Sequence, residues 1–300
     1  MLQGQVIKAY NSFFYVQVPG RLDLLSCKLR GRFKKARRSL GVVPGDRVSL
    51  SLLEDGTGVI EEILPRTHLL LRPAIANLTQ VVLTFAAAQP ELHPLLLNRF
   101  LVLAEQSGIE KILICLNKLD LRADAGMMLA EYEAIGYPVL RVAAQTGEGM
   151  AVLKSHLAGE ITVFAGPSGV GKTSLLNALG EGLALTTGHV SEKIKRGRHT
   201  TRVAELLPYS RGGYIVDTPG FSAVELADVD IAELPGFFPE FRPYLRGCRF
   251  TPCSHTHEPH CAVKEAVMAG SISRERYESY LAIHTEVEAS QQLAKKKEYK

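Results

Sequence analysis

No uninterrupted apolar run in this 300-residue chain reaches the ~18 residues that a membrane-spanning helix needs. The longest candidate, Leu69 to Ala88, is broken by Arg72, Asn77 and Gln80. The first residues, MLQGQVIKAYNSFF, lack the basic-then-apolar order of a secretory signal. Cysteines are few and odd in number: Cys27, Cys115, Cys248, Cys253 and Cys261. An odd count without a signal argues against a disulfide framework. The composition of a disordered chain is missing too, because 46% of residues are hydrophobic and 22% charged. A cytoplasmic, globular chain of two or three domains is therefore expected.

Acidic residues are scarce in one region. Residues 1–50 hold ten Lys and Arg against Asp23 and Asp46, a local net of +8, while the whole chain carries only +4. Seven of the eleven residues from 28 to 38 are basic: Lys28, Arg30, Arg32, Lys34, Lys35, Arg37 and Arg38, with Phe33 among them. Such a stretch suits contact with a polyanion.

What is present falls into three textures. Up to about residue 70, short β-prone runs alternate with turn signals such as PGRLD, PGD and EDGTG, the pattern of a small barrel. Pro65-Arg66-Thr67 and Pro73 mark a linker. From Thr79 buried strands (QVVLTFAA, KILICLNK, VLRV, ITVFAG) alternate with helices, which implies a mostly parallel sheet covered on both faces. After Gly220 that rhythm stops. A Cys/His cluster comes next, then AVKEAVMAG and a helix from about Arg274 to Leu293.

Gly166-Pro167-Ser168-Gly169-Val170-Gly171-Lys172-Thr173, followed by Ser174, fits the phosphate-binding loop G-x-x-x-x-G-K-[ST] between a strand and a helix. Its glycines let backbone N–H groups surround phosphate oxygens, and the helix N-terminus adds positive potential. Lys172 would reach the β- and γ-phosphates and Thr173 would ligate Mg²⁺. Asn117-Lys118-Leu119-Asp120 ends the strand KILICL and resembles the guanine-specificity motif of the translation-factor class of GTPases. By that resemblance Asp120 accepts from the guanine N1–H and 2-amino group, Asn117 holds the loop and Lys118 covers the ring face. Adenine would leave the carboxylate unpaired. Asp217-Thr218-Pro219-Gly220 supplies a carboxylate near Mg²⁺ and a Gly220 N–H near the γ-phosphate. The loop Lys195 to Arg202 fits switch I, with Thr201, or Thr200, completing the Mg²⁺ shell. Ala143-Ala144-Gln145 would offer backbone N–H to guanine O6.

The order of these parts is rotated. Ordinary GTPases run phosphate loop, switch I, DxxG, NKxD; here Asn117 precedes Gly166 by 49 residues. A circularly permuted chain can build the same sheet because the original ends lie close together. Phe221 comes after DTPG where many GTPases carry a water-orienting glutamine, so intrinsic hydrolysis should be slow. His199 is the candidate to replace it, or else it orders its loop.

Cys248-x4-Cys253-x-His255-x5-Cys261 offers three thiolates and an imidazole within fourteen residues, a closed set for structural Zn²⁺. His257 and His260 compete for the imidazole place.

Taken together, the stretches NKLD, TGEG, GPSGVGKTS, GRHTT, DTPGF and C-x4-C-x-H-x5-C resemble the small ribosomal subunit biogenesis GTPases, the RsgA family. The likeness covers essentially the whole chain. It implies an α/β fold: a circularly permuted P-loop GTPase domain (residues 71–222), an N-terminal OB-type β-barrel that binds RNA (1–70) and a C-terminal zinc-binding α-helical domain (223–300). The expected activity is hydrolysis of GTP to GDP and phosphate during late small-subunit maturation. The expected cofactors are GTP, Mg²⁺ and Zn²⁺. The expected partners are the small ribosomal subunit and its rRNA, with no membrane and a monomeric protein. Ala143 in place of the family's frequent serine and a short N-terminal arm are the departures.

Overall fold

The computed structural model describes residues 1–10, 12–30, 41–71, 74–180, 204–217 and 225–298. Five strands close first: β1 (Leu2–Tyr10), β2 (Phe13–Gln17), β3 (Leu25–Leu29), β4 (Arg47–Leu52) and β5 (Gly58–Ile63). Their order is β1-β2-β3-β5-β4, with β4 returning to β1, and only the β3–β5 pair is parallel. Alternation turns Val6, Val16, Leu25, Cys27, Val48, Leu50 and Ile60 inward as one core. The expected barrel is therefore closed.

The stretch read as a linker is bonded at both ends. Asp46, fully buried, accepts from the Val43 N–H at 2.8 Å and from Arg66 Nε at 2.6 Å. A short hairpin comes next, β6 (Leu69–Leu71) and β7 (Ala74–Ala76). Just past it, Asn77 donates to the Gly45 carbonyl at 2.9 Å and accepts from the Thr67 N–H at 2.9 Å. These bonds tie the barrel to the residues that lead into the central sheet.

The second layer is a six-stranded sheet of β8 (Gln80–Ala86), β9 (Lys111–Asn117), β10 (Val139–Arg141), β11 (Ile161–Ala165), β12 (Glu205–Pro208) and β13 (Tyr214–Asp217). Its order is β10-β9-β8-β11-β13-β12, parallel throughout except for the edge strand β12. Every residue of β8 is buried, as a strand covered on both faces requires. Helices α1 (Pro94–Gln106) and α2 (Ala130–Ile135) cover Val81, Leu83 and Phe85 on one face. Helices α3 (Met150–His156) and α4 (Lys172–Leu179) cover Val82, Leu113 and Phe164 on the other. The chain lays β8, β9 and β10 outward, then returns so that β11 lies beside β8 on its other side. That reversal is where open sheets bind ligands, beyond the carboxyl ends of the strands.

The third layer packs Phe238, Phe241, Val263, Tyr280, Ile283 and Val287 around α5 (Ala262–Met268) and the long α6 (Arg274–Glu298). Val102 of α1 belongs to the same cluster, so this layer rests directly on the sheet's helices. No helix among the described residues is long and apolar enough to cross a membrane.

Candidate nucleotide site and metal centre

The glycine-rich loop leaves β11 at the reversal. Gly166 stands at φ +141°, and a β-carbon there would lie 2.1 Å from the Thr84 carbonyl oxygen of β8. Gly171 stands at φ +94°, and its β-carbon would lie 2.4 Å from Asn117 Nδ2. Neither place admits a side chain, which is the physical reason for glycine at both ends of the motif. Lys172 Nζ donates to the Gly166 and Pro167 carbonyls, each at 2.7 Å. Its ammonium is curled inside the loop, and burial lowers its pKa. A phosphate beside it would favour the charged form again. Thr173 and Ser174 lie on the first turn of α4, where helix N–H groups and dipole favour anions.

Asn117 closes β9 and is 1% exposed. It donates from Nδ2 to the Val170 carbonyl at 3.0 Å and accepts at Oδ1 from the Ala144 N–H at 3.1 Å. One amide thus ties the glycine loop to the loop after β10, joining three segments that sequence spacing alone could only associate. Lys118 adopts φ +62° and donates from Nζ to the Gln89 carbonyl. Asp120 lies exposed in the short turn Leu119–Leu121. In the segment expected to present a backbone N–H to guanine O6, Ala143 donates to the Glu148 carbonyl at 3.0 Å and Ala144 to Asn117. Gln145 is the remaining donor of that segment.

The four cluster ligands meet. Cys248, Cys253, His255 and Cys261 offer donor atoms that all lie within 4.8 Å of one another. Cys248 Sγ is 3.5 Å from His255 Nδ1 and 3.9 Å from Cys261 Sγ, and His255 Nδ1 is 3.3 Å from Cys261 Sγ. A tetrahedral ion with Zn–S near ~2.3 Å separates its sulfurs by roughly 3.8 Å, so this donor set fits Zn²⁺. Burial pushes the Cys253 thiol up to about 12, and ionising such sulfurs calls for a cation among them. Of the competing imidazoles, His257 Nδ1 lies 2.9 Å from Thr256 Oγ1, and neither it nor His260 joins the cluster. Tyr277 and Tyr280 of α6 donate to the His255 and Ser254 carbonyls at 2.8 and 2.5 Å, fixing the ligand loop from outside.

Several expected residues fall outside the described ones: Thr200, Thr201, His199 and the rest of the switch I loop, Thr218 to Phe221, and Arg32 to Arg38. Asp217 ends β13, paired in register with Glu205. Sequence reading missed Gln89 and Pro90, since AAQPELH signals only a turn. It also missed Arg276, whose surroundings in RERY look like a solvated charge run.

A six-stranded sheet with its phosphate loop on β11 and its NKxD loop on the earlier β9 defines a circularly permuted P-loop GTPase. Residues 63–227 match the RsgA GTPase family and residues 3–60 the RsgA N-terminal domain. The chain belongs to the RsgA family. It is 43% identical over 290 residues to the small ribosomal subunit biogenesis GTPase RsgA of Caldanaerobacter subterraneus, covering 95% of this chain and 96% of that one. It is 44% identical over 295 residues to the protein of the same name from Geobacillus thermodenitrificans, covering 96% and 98%. Among solved structures it resembles YjeQ from Thermotoga maritima, with a TM-score of 0.82 at 38% identity over 95% of this chain and 98% of that one. It also resembles YloQ, a circularly permuted GTPase, with a TM-score of 0.81 at 36% identity over 97% and 96%.

Proposed function

We propose that this protein binds GTP beyond the carboxyl ends of β8, β9 and β11, hydrolyses it to GDP and phosphate, and does so on the small ribosomal subunit late in its maturation. The observation that carries the reading is Asn117, whose buried amide joins the phosphate loop at Val170 to the base-facing loop at Ala144. A GTPase site needs those two loops in fixed register, and here one side chain sets it.

In this reading Asp120 reads the guanine edge, Lys118 lies along its ring and Asn117 holds both loops. Gly166 to Ser174 cradle the phosphates, and Lys172 turns its ammonium from the loop carbonyls to the β- and γ-phosphates. Thr173 and Thr201 would hold Mg²⁺, with Asp217 reaching it through water and the Gly220 N–H meeting the γ-phosphate. Mg²⁺ supplies charge neutralisation of the transferring phosphoryl group. His199 orients the attacking water, the task for which Phe221 has no polar atom. Cys248, Cys253, His255 and Cys261 would hold a structural Zn²⁺ that closes the C-terminal layer.

Contact with ribosomal RNA falls to the barrel. On its outer face Tyr10 and Phe13 are paired across β1 and β2, 54% and 37% exposed. Lys28 Nζ stands 5.1 Å from the Phe13 ring, while Lys8, 5.0 Å from the half-buried Tyr15 ring, pairs with Glu205 of β12 at 3.3 Å. Exposed rings interleaved with ammonium groups suit stacking of unpaired bases beside a phosphate backbone. The proposed domains are 1–70, 71–222 and 223–300, in a cytoplasmic monomer.

The test is single-turnover GTP hydrolysis with and without purified small subunits. Slow intrinsic turnover and a stimulation of at least ~10²-fold are expected, the scale of one positioned catalytic group. Asp120→Asn should shift preference from guanine toward xanthine nucleotides, because the 2-position then presents an acceptor instead of a donor. An Asp120→Asn protein with unchanged kcat/KM for GTP would remove Asp120 from the base site.

A further inference from the structure

The loop after β8 forms a wall of the nucleotide site that carries none of the site's recognised motifs. Its first residue, Ala87, donates its N–H to the Asn117 carbonyl at 2.9 Å. Gln89 then stands in the left-handed region at φ +50°, exposed, and its carbonyl accepts the Lys118 ammonium. Lys118 is itself left-handed at φ +62°. Residues with a β-carbon avoid this region, yet two occur in adjacent loops and are clasped to each other.

The phosphate loop lies against the same two loops. A β-carbon on Gly169 would lie 3.6 Å from the Pro90 ring, and one on Gly171 would lie 3.8 Å from Lys118 Cε. The lysine stem therefore runs from the end of β9, past Gly171, to the Gln89 carbonyl. Its methylenes form an apolar rail along the place where the guanine reading puts the purine.

We propose that Gln89 is a positioning residue for the nucleotide: its main-chain carbonyl fixes the Lys118 ammonium so that the lysine stem is laid out before the base arrives. The inference rests on the guanine-nucleotide site described above. A free lysine stem samples many rotamers, and ordering it on binding would cost affinity. A charge-assisted hydrogen bond to a carbonyl removes that cost in advance. The rail touches ring faces, which all purines share, while Asp120 reads the exocyclic edge. Losing the anchor should therefore weaken every purine nucleotide by one factor and leave selectivity alone.

Gln89→Val tests this, because a β-branched residue resists positive φ and should swing the carbonyl away. Lys118→Met keeps the stem and removes the ammonium. Affinities for GDP and for IDP, which lacks the 2-amino group, are measured by fluorescence competition on the full-length protein. Each single variant should lose about tenfold for both nucleotides, with the GDP-to-IDP ratio unchanged. The double variant should lose no more than either single. Losses that multiply toward a hundredfold, or a changed ratio in Gln89→Val, would overturn the proposal. If thermal unfolding shows Gln89→Val to be misfolded, Gln89→Thr takes its place in the same cycle, since threonine is also β-branched and resists positive φ while its hydroxyl suits an exposed position. A wild-type protein that binds ADP as well as GDP would overturn the guanine reading and the proposal with it. A GDP-selective protein with multiplicative losses would overturn Gln89 alone.

Discussion

The nucleotide loops and the Cys/His cluster are assembled in opposite ways. The first gathers residues from Ala87 to Lys172 and exists only once β8, β9 and β11 lie side by side. The second takes its four ligands from fourteen consecutive residues, Cys248 to Cys261. In the nucleotide site, neutral hydrogen bonds such as those of Asn117 tie the loops to one another. In the cluster, three sulfurs and an imidazole converge, Cys248 and Cys253 half-buried and His255 and Cys261 buried, a donor set that fits a cation. A long-range site is thus held by the sheet beneath it, whereas the short-range set is compatible with being closed by a zinc ion. Helix α6 secures the Cys/His loop with Tyr277 and Tyr280 and, through Arg276, bonds Asn98 of α1 beside the sheet.

The largest effect should come from breaking the short-range site. Stripping zinc with a chelator, or Cys253→Ser, should remove the ion and unfold the C-terminal layer, since structural zinc contributes on the order of 10 kcal/mol in small domains. GDP binding and the barrel should survive. Metal analysis should give one zinc per native chain, and hydrogen exchange should show protection lost in α5 and α6 only. Full protection of α6 in metal-free protein would mean that hydrophobic packing around Phe238 and Tyr280 holds this layer instead.

The next effect concerns the junction. Arg276 is 1% exposed and holds Glu240 through Nε at 2.7 Å and Nη2 at 3.1 Å. Its Nη1 donates to Asn98 of α1 at 2.5 Å, and Tyr132 of α2 donates to the same amide oxygen at 2.9 Å. The guanidinium also lies over Phe238 at 4.7 Å. Arg276→Met should cost about 3–5 kcal/mol, because Glu240 is left buried and unpaired. Adding Glu240→Gln should recover part of the loss. Urea unfolding of the two single variants and the double gives the coupling directly. A cost below ~1 kcal/mol would place this pair with ordinary surface salt bridges.

The sequence made some of this legible and hid the rest for physical reasons. Gly166 to Thr173, Asn117 to Asp120 and the Cys/His spacing are linear motifs, because each ligand's chemistry demands several groups from one short stretch. The order of motifs also predicted the permuted sheet, since each comes at the end of a strand. Gln89 stayed hidden because it acts through its carbonyl, which every residue possesses. Arg276 did so because helical burial depends on what packs against the helix, and RERY alone reads as solvent-facing. Asp46 and Arg66, twenty residues apart in a stretch that looked like strand and linker, meet only after the barrel closes.

The smallest effect should come from Asn117, and it asks whether the long-range site is held as loosely as neutral hydrogen bonds imply. Asn117→Ala would leave the Val170 carbonyl and the Ala144 N–H without their partner, at a cost of about 1–3 kcal/mol. GDP dissociation should quicken while zinc content and α6 protection stay unchanged. Asn117→Asp sharpens the question, because it has nearly the same shape. A carboxylate still accepts from the Ala144 N–H but turns a second acceptor toward the Val170 carbonyl. If the amide works by donating to the phosphate loop, Asn117→Asp should release GDP faster than Asn117→Ala. If its role is only to fill space beside Gly171, Asn117→Asp should behave as wild type and Asn117→Ala alone should fail. Stopped-flow release of a fluorescent GDP analogue from the three proteins separates these cases. Equal rates in all three would mean that the strands alone set the register of the loops, and that the buried amide contributes nothing to it.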